Sequence, residues 1–430
     1  MSRLDTVYNA GGSFMNLGLE RIKVLLRYAG NPQDRLKTIH VAGTNGKGSV
    51  SMLLSNILKE HGLRVGLYTS PHLTAFAERI TVNNEKIKDS DIERLDGFFQ
   101  DIILVNDDFK RLSTPSFFEL TTAMCFQYFF EQKVDIAIIE AGLGGRLDAT
   151  NVIKQPLISI ITNVAMDHKN ILGNSLKRIA LEKAGIIKKN SIIVSGDRKN
   201  KTKNIIGEYA SGLNAAYFSA DDVKIFKKKD FYDYYGLKLR IKNIELNNKA
   251  LYQKYNLRLG IFSAEILNKY YKNSLNLELN ENFTRKGISK FYNEGRFEII
   301  KHKNSCIVLD GAHNPEGIRS LILSLRRVFS NRNFIIIFAV MKDKDYETIL
   351  RRLSSLSGEL YFIALNDDRA LSKEELNTFL KNHNYFKNVF IFESIKDALE
   401  SAVRNKNKDD VLLVCGSFRL LGEFKRTVVS

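Results

Sequence analysis

Apolar positions along this chain follow two rhythms. Short β-branched or aliphatic runs at residues 38–42, 64–69, 134–139 and 157–162 suit buried strands. Runs at 305–309, 334–340, 360–365, 389–392 and 411–415 repeat the pattern further on. Between them the apolar spacing turns helical. Leu19, Ile22, Leu25 and Leu26 form one face, ended by Gly30-Asn31-Pro32, and Val50, Leu53, Leu54, Ile57 and Leu58 form another, ended near Gly62. Residues 85–110 read as a charged, solvated helix, 113–131 as an aromatic-rich helix, and 251–267 as another helix. Residues 200–250 read as polar, strand-like chain with no motif. Strands and helices alternating at this length predict two α/β domains with mostly parallel sheets, divided near residue 294.

The stretch between the first strand and its helix is Gly43-Thr44-Asn45-Gly46-Lys47-Gly48-Ser49. Strand, glycine loop and helix start make a phosphate cradle: glycines let backbone N–H groups turn inward, the helix start adds partial positive charge, and Lys47 adds a full one. Ser49 can place a hydroxyl on a nucleotide's metal. The spacing differs from the common G-x-x-x-x-G-K-[ST], since Gly48 separates Lys47 from Ser49. The competing reading is a turn that needs glycine for backbone reasons only.

Composition narrows the class. Of 430 residues, 44% are hydrophobic and 26% charged, ordinary for a globular protein of two or three domains. No run of about 18 apolar residues predicts a membrane helix, and the start, MSRLDTVYNAGG, does not read as a secretory signal. Three cysteines, odd in number and far apart, fit reduced thiols in a cytoplasm. The net charge of +17 reflects either compositional bias or attraction of small polyanions. An arginine-rich run with interleaved aromatics, which nucleic acid would favour, is missing.

Other residues have a plain reading and a chemical one. Glu140 ends a strand and is either a cap or a magnesium-orienting carboxylate. Ser70, before Pro71, reads as part of a turn at a strand's carboxyl end, where open α/β sheets take ligands. His168, a single histidine after a strand, reads as a satisfied polar residue. Lys183 is either a charge partner or a modified group. Arg296 is either a linker's surface arginine or a fork for phosphate oxygens.

Several strings together resemble the Mur ligase superfamily, and within it the folylpolyglutamate synthase/dihydrofolate synthase family. They are AGTNGKGS at 42–49, TSPHL at 69–73, FE-x-x-T at 118–122, EAGLGGRLDATN at 140–151, EKAGI at 182–186, GRFE at 295–298, DGAHNP at 310–315 and GSF at 416–418. Gln253 and Asn256 match a Q-x-x-N motif, although Tyr252 stands where the family has His and Leu257 where it has Ala; Lys342-Asp343-Lys344-Asp345 resembles the family's DKD region, and Arg419 stands where Tyr is common.

The resemblance implies a P-loop-type ATPase domain over residues 1–294 and a Rossmann-like domain over 295–430. It implies a ligase that joins L-glutamate to a folate, and also to dihydropteroate, through an acyl phosphate shielded from water by domain closure. ATP would be held by Thr44, Asn45, Gly46, Lys47, Gly48, Ser49, Asn256, Arg296 and Asp310. Two Mg²⁺ ions would use Ser49, Ser70, Glu140, His168 and Lys183, the last as a carbamate, with Lys188 as ordinary surface. Folate and glutamate would meet Arg21, within the region 17–21, and Arg79, Phe118, His313 and Ser417; Lys47, Lys183 and His313 would be the catalytic set. Partners would be small molecules only, with no nucleic acid and no membrane, and the protein a cytoplasmic monomer. The alternatives are folylpolyglutamate synthase activity alone, a UDP-muramoyl amino-acid ligase, for which residues before the loop leave no room for a uridine domain, and a non-enzymatic P-loop module that binds nucleic acid.

Overall fold

A computed structural model describes residues 18–302 and 305–428. Its contacts divide the chain into two compact units. The first comprises Met1–Ala165, Leu172–Asn247 and Lys254–Phe291; the second comprises Met166–Ile171, Asn248–Gln253 and Tyr292–Ser430. Leu17, in the expected folate region, lies outside the described residues.

The first unit is built on an eight-stranded sheet: β1 (Thr38–Ala42), β2 (Val65–Tyr68), β3 (Ile80–Val82), β4 (Glu85–Lys86), β5 (Ile136–Glu140), β6 (Ile158–Ile161), β7 (Ile192–Ser195) and β8 (Ala216–Ser219). The order is β4-β3-β2-β5-β1-β6-β7-β8. Pairings from β2 through β8 are parallel, while β3 and β4 join as antiparallel edge strands. Every residue of β1 and β5 is buried, as near-continuous apolar runs in a parallel sheet require. One face packs on helix Lys47–Glu60 through Val50, Leu53, Leu54 and Ile57. The other packs on helices Glu20–Tyr28 and Phe117–Glu131.

Two expectations change here. Helix Asp89–Val105 is not merely solvated; it buries Ile92, Leu95 and Phe99 in the second core because those residues share one helical stripe. Asn200–Gly212 is a helix, not strand-like chain: Thr202, Ile206 and Ala210 recur every fourth residue on its buried side. After it, β9 (Lys224–Lys228), β10 (Phe231–Tyr235) and β11 (Arg240–Glu245) form a small antiparallel sheet in the order β11-β10-β9.

The second unit carries a six-stranded sheet: β12 (Glu298–His302), β13 (Ser305–Asp310), β14 (Phe334–Phe338), β15 (Glu359–Ile363), β16 (Asn388–Phe392) and β17 (Val411–Cys415). Its order is β12-β13-β17-β14-β15-β16, parallel except for the β12–β13 hairpin. Among the described residues no helix is long and apolar enough to cross a membrane.

A buried polar chain ties β1 to the loop after β5. His40 Nε2 lies 2.8 Å from Thr150 Oγ1, and Thr150 Oγ1 donates to Asp148 Oδ1 at 2.5 Å. Since the threonine proton is committed to Asp148, His40 must carry its proton on Nε2. Burial, with Lys188 adding like charge, pushes His40 down from 6.5 to about 3. The unfolded chain therefore takes up a proton below pH 6.5 that the folded chain refuses until about pH 3, so stability falls as pH drops through that window. We expect the His40→Asn variant to lose about 1.4 kcal/mol less per pH unit than wild type in urea unfolding across it. Equal slopes for the two proteins would assign acid sensitivity to other groups.

Candidate functional site

The glycine loop at 43–49 owes its shape to what surrounds it. Gly43 has φ +154°, and a Cβ there would stand 1.8 Å from Thr162 Oγ1. Thr162 Oγ1 in turn donates to Asn45 O at 2.7 Å. Thr44 N donates to Asn163 O at 3.0 Å, and Asn45 N to Asn163 Oδ1 at 2.8 Å. Thr44 Oγ1 bridges the Ala165 backbone, accepting from its N–H and donating to its C=O. Gly46, at φ +85°, turns the chain into helix Lys47–Glu60, and a Cβ on it would meet Asn256 Oδ1 at 2.6 Å. Asn256 thus lies directly beside the loop.

Lys47 Nζ donates to Gly43 O at 3.2 Å and stands 3.9 Å from Glu140 Oε1. Glu140 is buried at the end of β5, next to β1, and its Oε2 accepts Ser70 N at 3.3 Å. A Cβ on Gly48 would approach the same oxygen to 3.3 Å. Carboxyl ends of neighbouring strands therefore bring Lys47, Glu140 and the Ser70 backbone together, with Ser49 buried two residues along the same helix start, the place where open α/β sheets take ligands.

Beyond Glu140 the loop locks onto helix Leu176–Ala184. Arg146 N donates to Glu182 O at 2.8 Å, and the two side chains pair at 2.8 Å. A Cβ on Gly145 would lie 2.8 Å from the same carbonyl. Lys183, on that helix, is buried. Lys188, expected as ordinary surface, is instead half-buried with Nζ donating to Asn151 Oδ1 at 2.8 Å, and burial, with Lys23 nearby, pushes it down to about 8.

The residues expected near folate occupy the opposite sheet face. Arg21 pairs with Glu119 at 3.1 Å, both buried, and Glu119 Oε2 also caps Ser116 N at 2.8 Å. Arg79 Nε donates to His72 Nδ1 at 2.8 Å, and its guanidinium lies 5.3 Å from the Phe117 ring centre. Phe118 is half-buried against Gly142, where a Cβ would stand 2.5 Å from the ring.

The second unit gathers its own cluster. Asp310, at the end of β13, is buried; its Oδ1 accepts Ala312 N at 2.8 Å, and its Oδ2 accepts Phe297 N at 2.9 Å and Tyr252 O–H at 2.8 Å. Burial raises its pKa, against the pull of Arg296. Arg296 lies 4.3 Å over the Phe418 ring. Ser417 is buried, and its Oγ accepts Leu420 N at 3.1 Å. His313 Nδ1 lies 2.8 Å from Gly311 O, and its Nε2 lies 3.5 Å from Asp167 Oδ2. Asp167 also takes Asn314 Nδ2 at 3.0 Å and Lys344 Nζ at 2.9 Å. Burial alone would raise Asp167, but the His313 hydrogen bond and the surrounding positive charge hold it well below the carboxylate range.

His168 belongs to this second cluster, with Nε2 2.9 Å from Lys344 Nζ. Burial is the main cause that pushes its pKa down to about 4, with Lys344 and His313 adding to it against the pull of Asp167. Among the described residues no three His, Cys, Asp or Glu side chains group as a ready-made metal centre. The set Ser49, Ser70 and Glu140 nevertheless fits magnesium by its chemistry: one buried carboxylate and two hydroxyls are hard oxygen donors, and magnesium usually completes its octahedron with water and phosphate oxygens. The set His168 and Lys183 does not fit a cation as these side chains stand, because the Lys344 amine faces His168 and an unmodified Lys183 brings no oxygen donor.

Sequence reasoning passed over Asn163 and Asp167. Both follow strand β6, but single polar residues after a strand carry no periodic signal. Their roles come from the loops that fold back onto them.

The Mur ligase middle domain matches residues 41–264, and the Mur ligase glutamate ligase domain matches residues 295–418. The dihydrofolate synthase/folylpolyglutamate synthase of Bacillus subtilis (strain 168) is 33% identical over 414 residues, 95% of this chain and 94% of that protein. Folylpolyglutamate synthase from Thermotoga maritima superposes with a TM-score of 0.83 at 34% identity, over 99% of this chain and 96% of that one. Its Mycobacterium tuberculosis counterpart, solved with ADP and AMPPCP, superposes with a TM-score of 0.88 at 26% identity, over 99% and 98%. With both domains matched in order and a relative aligned along nearly its whole length, the chain belongs to the folylpolyglutamate synthase/dihydrofolate synthase family of the Mur ligases.

Proposed function

We propose that this chain is an ATP-dependent ligase that adds L-glutamate to folates and to dihydropteroate, releasing ADP and phosphate. The observation that carries it is the loop at 43–49, with Lys47 and the buried Glu140 3.9 Å apart at its mouth. A carboxylate resists an amine because its carbon is electron-rich. One carboxylate oxygen attacks the γ-phosphorus of ATP, ADP leaves, and the acyl phosphate gains a good leaving group. The glutamate amine then attacks the acyl carbon, a proton is lost, and phosphate departs from the tetrahedral intermediate.

Phosphoryl transfer of this kind is positioning and charge neutralisation. Lys47 and the backbone at the start of helix Lys47–Glu60 would hold the phosphates, with Thr44 and Asn45 fixing the loop and Gly46 and Gly48 letting it close in. Asn256, beside Gly46, would meet the nucleoside side, and Arg296 and Asp310 the nucleotide from the second unit. Magnesium at Ser49, Ser70 and Glu140 would neutralise charge on the phosphate oxygens when bound. Addition of CO₂ to the neutral amine of Lys183, with loss of a proton, would give an anionic carbamate and so a further oxygen ligand. Arg21, Arg79 and Phe118 would face folate, and His313 and Ser417 the incoming glutamate. In this reading ATP and folate bind chiefly to residues 1–294 and glutamate chiefly to residues 295–430, and the protein works as a cytoplasmic monomer with small molecules alone.

Two acceptors test the scope. With MgATP and labelled glutamate, mass analysis of products should show one added glutamate on dihydropteroate and chain extension on tetrahydrofolate. Product from only tetrahydrofolate reduces the reading to folylpolyglutamate synthase; product from neither rejects it.

A further inference from the structure

The short segment Asn248–Gln253 stands apart from its sequence neighbours, joining the second unit while the chain on either side belongs to the first. We infer that Asn248 and Tyr252 are positioning residues that clamp Arg296 and so set the affinity for the nucleotide. The inference rests on the reading above in which Arg296 meets ATP phosphates.

The backbone at Arg296 needs holding. Its neighbours Gly295 and Phe297 have φ +63° and +51°, the left-handed region, which an aromatic residue rarely occupies unless its surroundings hold it there. Two residues of the segment bear on this turn, Asn248 directly and Tyr252 through Asp310. On one side Asn248 Nδ2 donates to Arg296 O. On the other, Phe297 N donates to Asp310 Oδ2 at 2.9 Å, the same oxygen that receives the Tyr252 hydroxyl at 2.8 Å. The segment is itself anchored: Asn248 Oδ1 accepts Ala250 N at 3.0 Å, and Leu251 N donates to Ser324 Oγ at 3.0 Å on helix Pro315–Val328. Gly311 N donates to Gly295 O at 2.8 Å and closes the turn from a third side.

The Arg296 side chain leans on the Phe418 ring, with the guanidinium carbon 4.3 Å from the centroid. Stacking of this kind uses the planar face of a guanidinium and keeps its N–H groups at the edge, where phosphate oxygens are met. Main chain gripped before and after, and side chain supported on an aromatic face, leave the fork little freedom to lose on binding. Tyr252 stands where relatives resembled by the motif carry His. A phenol presents one donor of fixed identity, whereas an imidazole donates from either nitrogen according to tautomer. The tyrosine therefore suits a carboxylate oxygen that already accepts a backbone N–H.

The test uses the full chain and MgADP as probe, with affinity read by calorimetry. Tyr252→Phe keeps the ring and removes the donor; MgADP binding should weaken about five- to tenfold, as should the variant Asn248→Ala. In an Arg296→Ala background, where the clamp has nothing left to aim, Tyr252→Phe should change affinity by less than about twofold. The KM for ATP should rise by the same factor as the loss in wild-type background, while the KM for glutamate stays within about twofold. Tyr252→His, which restores a donor, should recover most of the affinity. Unchanged binding in Tyr252→Phe overturns the inference, and so does an equal loss in the Arg296→Ala background, which would mark a structural effect unrelated to the guanidinium. Tyr252→Phe decides the matter even where Asn248→Ala does not fold. Wild-type protein that binds MgADP but makes no glutamate amide would reject the ligase reading and still leave the clamp testable by binding.

Discussion

Lys47→Ala is expected to reduce ligation by at least about 10³-fold, the cost of deleting a charged donor aimed at a transferring phosphoryl group. The loss arises at the phosphates and not in the fold. The Lys47 side chain is 16% exposed, donates to Gly43 O at 3.2 Å, and its charge stands 3.9 Å from Glu140. Val50 N still donates to Gly46 O at 2.9 Å when the ammonium is gone, so the helix start remains. Steady-state rates with MgATP, a folate acceptor and glutamate, beside urea unfolding of the same variant, separate the two. Rates within tenfold of wild type would remove Lys47 from the reaction. Lys47→Arg is expected to recover little, since the branched fork is too wide for a lysine's place in a tight loop.

Gly43→Ala carries the second large effect, and it acts through shape. The new methyl would sit 1.8 Å from Thr162 Oγ1, 3.0 Å from Thr162 Cβ and 3.2 Å from Thr162 N, at φ +154°. Thr162 cannot swing away freely, because its hydroxyl holds Asn45 O at 2.7 Å. Either the loop moves or strand β6 does. Overpacking of this kind costs about 1–3 kcal/mol, and loop displacement should weaken MgADP binding at least about tenfold. Thr162→Ala in the same chain removes the nearest atom but leaves the Cβ and backbone contacts, so it should return part of the stability and less of the affinity. A Gly43→Ala protein with wild-type stability and MgADP affinity would show that the loop tolerates a side chain and that its glycine is dispensable.

Strands β1, β2, β5, β6 and β13 to β17 were legible from apolar runs because parallel strands buried on both faces leave an uninterrupted signal, and 411–415 matches β17 to the residue; the short strands β3, β4, β7 and β12 were not read. The strand–loop–helix at 38–60 was legible because three glycines interrupt two apolar rhythms there. Helix Asn200–Gly212 was not, since only Thr202, Ile206 and Ala210 mark its buried side among lysines and asparagines. Asp167 was passed over for a different reason. Its importance lies in Asn314 and Lys344, which stand more than a hundred positions away and reach it only in the folded chain. Tyr252 and Arg419 looked like departures from the family pattern, and the structure gives each a partner: Tyr252 holds Asp310, and Arg419 pairs with Asp367. Long-range pairing of single polar residues is where a one-dimensional reading ends.

The claim on which the rest depends is that the acceptor's own carboxylate becomes an acyl phosphate. Incubating the protein with MgATP, glutamate and tetrahydrofolate labelled with ¹⁸O in its terminal carboxyl group tests it by following oxygen. The account predicts that each new amide releases ADP and one phosphate bearing a single ¹⁸O drawn from that carboxyl. Label appearing in AMP, or phosphate free of label while the amide still forms, would contradict it.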